Sequence, residues 1–144
     1  MICEIEYNKS HLKQLELQDA QSYMNEEITD KFLHEIEEEY TYAKTWLWKE
    51  NVVGCGFLFW DWNKMKEWMF YGFFSPLSGP MLIGLRKIFM EFIESRDINK
   101  DIYTPIIPEF KEGIRFANIL GFKDCGTYVS PSSSKFMKLM KLEF

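Results

Sequence analysis

Over Ile2 to Tyr7 apolar and acidic residues alternate (Ile-Cys-Glu-Ile-Glu-Tyr), the period of a strand with one buried face. Asn8 or Ser10 can cap a helix whose apolar positions are Leu12, Leu15, Ala20, Tyr23 and Met24, and Thr29 or Asp30 a second with Phe32, Leu33, Ile36 and Tyr40 on one face. From Thr41 the period returns to two. Lys44 to Lys49, Val52 to Trp60 and Glu67 to Phe74 read as three strands joined by turns at Glu50-Asn51 and Asp61 to Lys64, an antiparallel meander. Gly54, Gly56 and Gly72 within it predict a bulge or the close approach of another backbone or a ligand.

The clearest helical spacing lies in Met81 to Glu94, with Leu82, Leu85, Ile88, Phe89, Phe92 and Ile93 on one stripe. Asp101 to Ile107 reads as a short strand, and Pro105 places it near an end or edge. Pro108 can open a helix carrying Ile114, Phe116, Ala117 and Leu120, and Gly121 is placed to end it. Phe122 to Val129 and Lys135 to Leu142 form a last hairpin around Ser130 to Ser134, and the final strand offers an edge for a homodimer. The order predicts one α/β (α+β) domain over residues 1–144, with a mixed, mostly antiparallel sheet and about four helices on its faces.

Composition narrows the function. The chain carries 13 Phe, 7 Tyr and 5 Trp in 144 residues, enough rings for a firm core with some left for a ligand or protein partner. A net charge of −5 lacks the basic face that nucleic acid requires. The acidic run Glu35 to Glu39 reads as a solvated helix face. Three cysteines without C-x-x-C spacing suggest small apolar fillers rather than disulfides or a zinc site. Acidic residues at Met1 to Glu6 stand where a secretory signal would be basic, and no apolar run reaches the ~18 residues of a membrane span, so a cytoplasmic protein without membrane contact is expected.

Most catalytic patterns are absent. His11 and His34, set among polar neighbours, read as surface residues rather than metal ligands. There is no G-x-S-x-G, no G-x-G-x-x-G and no G-x-x-x-x-G-K-[ST], and Cys55 has no evident histidine base in the sequence. The five tryptophans are explained by packing in alternating strands rather than by base stacking.

The element order, with Ile114-Arg-Phe-Ala-Asn-Ile-Leu-Gly-Phe122 before the last hairpin, resembles the GNAT superfamily of acetyltransferases. The resemblance implies that the third meander strand splays from the next one and that an acyl-CoA arm lies in the gap. It also implies that the pyrophosphate meets the loop before the Met81 helix and the positive end of that helix. The stretch Phe74-Ser-Pro-Leu-Ser-Gly-Pro-Met-Leu-Ile-Gly84 takes the place of the family loop V-x-P-x-x-[RQ]-G-x-G-x-[GA]. Phe74, Pro76 and Gly84 match it, whereas Gly79 replaces the Arg or Gln, and Pro80 and Leu82 replace glycines. Proline has no N–H to give, and leucine places a side chain where phosphate approaches bare backbone.

On this resemblance Phe73, Phe74, Ser75, Ser78, Gly79 and Gly84 are the expected contacts for acetyl-CoA. The family's frequent leaving-group tyrosine falls at Ala117, and its frequent asparagine near Phe110. That leaves Glu67, with Asp61 in reserve, as the candidate general base and Tyr71 as the candidate general acid. Leu77-Ser-Gly79, Arg86 to Phe92, Arg96-Asp97 and Ile114-Arg-Phe116 also resemble the small acetyltransferase-like proteins of short-tailed bacteriophages, which are associated with virion morphogenesis. Two expectations follow: an acyl-CoA-dependent N-acyltransferase acting on an amine, or a non-catalytic phage virion or interaction module that keeps the fold.

Overall fold

A computed structural model describes residues 1–15, 38, 40–60, 67–95, 98, 100–129 and 136–143. The strands are β1 (Ile2–Glu6), β2 (Tyr42–Trp48), β3 (Asn51–Trp60), β4 (Trp68–Phe74), β5 (Ile102–Ile106), β6 (Lys123–Val129) and β7 (Phe136–Leu142). Among the described residues there are three helices: α1 (Lys9–Gln14), α2 (Gly79–Ser95) and α3 (Lys111–Leu120). The Thr29–Tyr40 helix, the later turns of the first one, His34, Asp61 and the Asp61–Lys64 turn all lie outside the described residues, apart from Glu38 and Tyr40.

One seven-stranded sheet runs β1-β2-β3-β4-β5-β7-β6, antiparallel everywhere except between β4 and β5. This is the mixed, mostly antiparallel sheet expected. The last hairpin departs from expectation in one respect. β7 is not an edge, because it inserts between β5 and β6, and the exposed edge is β6. The β2–β3 turn falls at Lys49 and Glu50, both with positive φ (49° and 69°), one residue earlier than read from the sequence. That left-handed pair matches the twist of a tight hairpin.

The two sheet faces bury different cores. Ile2, Trp46, Leu58, Phe70 and Phe74 face α2 and α3, which supply Leu85, Phe89, Phe92, Ile93, Phe116 and Leu120. Cys55, Phe57, Phe59, Met69 and Phe73 line the other face with Leu12 of α1. The meander glycines belong to the first core. Trp46 and Phe74 stack with centroids 5.9 Å apart and planes 5° apart, flat over the strands beneath. A Cβ on Gly54 would stand 2.6 Å from Phe74 Cδ1, one on Gly72 2.5 Å from Phe74 Cε2, and one on Gly56 2.8 Å from Trp46 Cζ3. What approaches these glycines is therefore neither a backbone nor a ligand but the protein's own side-chain rings, while the expected bulge is the register shift between Trp46 and Leu47, beside Gly54. Glu4 accepts from Trp46 Nε1 at 3.0 Å and holds the indole in place.

The helix ends follow ordinary capping rules. Asn8 caps α1 through Ser10 N. Gly121 closes α3 in the left-handed region at φ 102°, and Phe122 N donates to Ala117 O. Pro108 lies in the turn before α3 rather than in its first turn.

Candidate functional site

β4 and β5 share only two ladder positions, Trp68 with Ile102 and Met69 with Tyr103. At the next position the Thr104 hydroxyl, buried, donates to Phe70 O at 2.9 Å, and the strands then part. Pro105 stands just beyond, where β5 has already lost its β4 neighbour and a missing N–H breaks no rung to it. The parting opens a cleft of about 360 Å³ bounded by β4, β5, the start of α2 and one face of α3. Its walls are largely apolar, including Phe70, Phe74, Leu77, Leu82, Phe116 and Leu120.

The β4 edge supplies the polar features of this cleft. Ser75 N donates to Val53 O, so odd-numbered β4 residues turn their backbone groups to β3. Alternation along the strand then aims those of Phe70, Gly72 and Phe74 toward β5 and the cleft. Phe74 meets Phe116 edge-on at 5.2 Å, and Ala117, 5% exposed, offers no hydroxyl from α3. The charged rim is Glu112 and Arg115, three residues apart on α3.

The loop into α2 uses its own donors. Ser78 caps the helix: its Oγ accepts from Met81 N at 3.5 Å and its carbonyl from Leu82 N at 3.0 Å. Ser78 N is directed at Met81 Sδ at 3.4 Å. Pro80 has no N–H, so the Gly79 N–H is what the first turn retains for an anion. The cleft therefore suits the apolar, amide-bearing arm of an acyl-CoA, whereas the start of α2 does not suit its pyrophosphate.

The expected cofactor contacts separate accordingly. Phe73, Phe74 and Gly79 line the cleft. The Phe73 ring is 1% exposed in the second core, against Phe57 at 6.0 Å, and as an odd-numbered residue it turns its backbone groups to Cys55 of β3, so it offers a ligand in the cleft no polar group. Ser75 directs both N and Oγ to Val53 O, and Ser78 serves as the helix cap. Gly84 is turned to β1, where a Cβ would stand 2.8 Å from Ile2 Cγ1, and its bareness lets α2 approach that strand.

Glu67 and Tyr71 do not form a contiguous pair. Four residues of strand at about 3.3 Å each put them about 13 Å apart along one face. Tyr71 lines the cleft and packs edge-on against Phe59 at 5.8 Å. Tyr103 lies between them, a residue that the sequence did not single out. It is half-buried at the last rung, and desolvation, then the nearby Glu67 charge, raise its pKa above the ordinary tyrosine range. Its hydroxyl therefore stays protonated at neutral pH. Lys141 sits opposite Tyr103 on β7, 3.3 Å from Glu143 and 3.9 Å from Asp101. Two unlike groups thus mark the apex: Thr104 faces the cleft and Tyr103 the opposite side.

His11 overturns the surface reading. It is 8% exposed, with Nδ1 2.7 Å from the fully buried Thr45 Oγ1, which lies 3.8 Å from Cys55 Sγ. Asn8 reaches the other ring nitrogen at 3.0 Å. The chain ties α1 to β2 and β3. Its thiol is not a nucleophile, because burial pushes Cys55 up to about 12. Cys3 and Cys125 are exposed, so the apolar-filler role belongs to Cys55 alone. A disulfide-exchange reagent on the native protein is accordingly expected to titrate two thiols promptly and the third only after denaturation. Among the described residues no cluster of His, Cys, Asp or Glu is suited to hold a metal ion, and no helix is long and apolar enough to cross a membrane.

No protein-family model matches the chain, and no curated protein matches it in sequence. Its backbone, however, matches solved structures along almost its full length. An N-acetyltransferase from Staphylococcus aureus Mu50 superposes with a TM-score of 0.68 at 14% identity, covering 99% of this chain and 97% of that one. The aminoglycoside acetyltransferase AAC(6')-Ib in complex with coenzyme A gives 0.69 at 13% identity, over 98% and 94%. An aminoglycoside N(6')acetyltransferase from Legionella pneumophila gives 0.68 at 16% identity, over 98% and 91%. The fold is that of the GNAT N-acetyltransferases.

Proposed function

We propose that this chain is an N-acyltransferase that takes an acyl group from a pantetheine thioester such as acetyl-CoA and transfers it to an amine. The observation that carries this reading is the parting of β4 from β5 after two rungs, which opens an apolar cleft between them. The donor supplies an acyl carbon already activated by its thiolate leaving group. The residues of the chain have three tasks: to hold the arm, to accept the proton of the amine and to return a proton to the departing sulfur. The apolar walls of the cleft serve the first. Glu67, through water, is the proton acceptor. With Ala117 lacking a hydroxyl, Tyr71 beside the cleft is the proton donor, and Tyr103 positions the amine on the face opposite α2 and α3. The Glu67 carboxylate on that side, where Asp101 is paired with Lys141, and the aminoglycoside acetyltransferases among the similar structures support a cationic acceptor.

Acetyl-CoA or S-acetylpantetheine at a hundredfold excess over Kd is expected to stabilise the protein by about 2.7 kcal/mol, read as a raised melting temperature. Thiol release on adding a polyamine panel then reports transfer. A melt unmoved by millimolar amounts of either thioester removes this reading.

A second reading has its own support in Pro80, the self-capped start of α2 and Ala117: a non-catalytic interaction module keeping the fold, as in the phage proteins that the sequence resembles. It is favoured if neither thioester binds and the protein co-purifies with one virion or host protein from infected cells.

A further inference from the structure

The cleft and the loop beside it disagree about how much of coenzyme A is recognised. The arm has a groove with apolar walls. Among the described residues the loop before α2 sets no cation against the nucleotide's pyrophosphate and additional phosphate. Residues 75–80 carry no cation. Ser78 consumes two of the first donors of α2, and Pro80 lacks one. The nearest cation along α2, Arg86, donates from Nε to Ile119 O on α3 at 3.2 Å. The remaining rim cation, Arg115, shares the rim with Glu112, three residues before it on α3. Phosphates are multiply charged and bind well only where charge-assisted donors converge.

We infer that the chain recognises the pantetheine arm alone and leaves the nucleotide of coenzyme A in solvent, so that the nucleotide adds no affinity. The inference rests on the acyltransferase reading above and narrows it to a class of donor, pantetheine-type thioesters with or without a nucleotide. Recognition of this kind is apolar and hydrogen-bonded, and it holds nearly constant as salt rises.

Calorimetric titration of the full chain with acetyl-CoA, S-acetylpantetheine and adenosine 3',5'-bisphosphate tests it. The two thioesters are expected to bind within about threefold of each other, and the bisphosphate not to bind at millimolar concentration. Acetyl-CoA binding tenfold or more tightly than S-acetylpantetheine, with a steep loss in salt, overturns the inference and leaves the acyltransferase reading standing. Binding by neither thioester overturns both. A gain-of-function variant gives an independent check. Gly79 is exposed and a Cβ there meets nothing within 4 Å, so Gly79→Arg places a cation at the start of α2 without disturbing the core. It is expected to tighten acetyl-CoA by about tenfold and leave S-acetylpantetheine unchanged. Tightening of both thioesters alike by the variant would mean that the new cation meets the arm rather than the nucleotide and would overturn the inference. Arg115→Ala is expected to change acetyl-CoA affinity less than about twofold, and a selective loss of about tenfold would assign the phosphates to Arg115 and overturn the inference.

Discussion

Gly56→Ala is expected to cost the fold about 2–3 kcal/mol, near the upper end of what one added methyl does in a packed core. The new carbon would overlap Trp46 Cη2, stand 2.8 Å from Cζ3 of the same ring and 3.0 Å from Phe70 Cε2. Neither ring has room to yield. Trp46 is 3% exposed, stacked on Phe74 and bonded through Nε1 to Glu4, and Phe70 meets Phe89 of α2 edge-on at 5.2 Å. Equilibrium urea unfolding measures the effect as a lower midpoint at unchanged slope. Gly79→Ala is the matched control, since its methyl enters open space and stability should hold within about 1 kcal/mol of wild type. A Gly56→Ala protein as stable as this control would mean that Trp46 does not lie flat across the strands.

Glu67→Gln is expected to lower kcat by about 10²–10³-fold while leaving thioester affinity within about twofold, the pattern of a lost proton acceptor. The split between the two quantities follows from position. Glu67 precedes β4 at the end away from the α2 loop and does not line the donor cleft. Tyr71→Phe bears on the other proton: it should lower turnover while keeping the edge-on packing on Phe59. Measuring thiol release and donor binding on the same variants separates these roles from simple damage to the fold. An unchanged kcat for Glu67→Gln would move the acceptor role to another group on that face, with Tyr103 the next residue to replace.

Much of the architecture could be read in advance because its signals are local. Gly121 ends α3 as its position after Leu120 suggests, and the apolar stripe from Leu82 to Ile93 is the buried side of α2. That Gly54, Gly56 and Gly72 mark something unusual was evident too, but a backbone or ligand was the expected neighbour, not rings. The rings had no local signal, since Trp46 and Phe74 come from other positions in the sheet. His11 escaped notice because its partner Thr45 is 34 residues away and its sequence neighbours are polar. Tyr103 and Thr104 acquire their positions only when β5 docks beside β4 and departs again, a tertiary event with no periodic trace. The hairpin of β6 and β7 shows the same limit. Pattern announces two strands, but not which of them joins β5.

The two-rung seam between β4 and β5 also bears on how the chain folds. On one side of it β2, β3 and β4 pair with their sequence neighbours; on the other β5, β7 and β6 form a second ladder. Each block can therefore close mostly short loops before the two meet, which favours rapid formation of both. Their union waits on Trp68 and Met69 finding Ile102 and Tyr103, helped by α2 and α3 burying Phe89, Phe92 and Phe116 along the junction. Amide hydrogen exchange should accordingly resolve two cooperative units, with the seam amides opening at lower free energy than the interiors of β3 and β7.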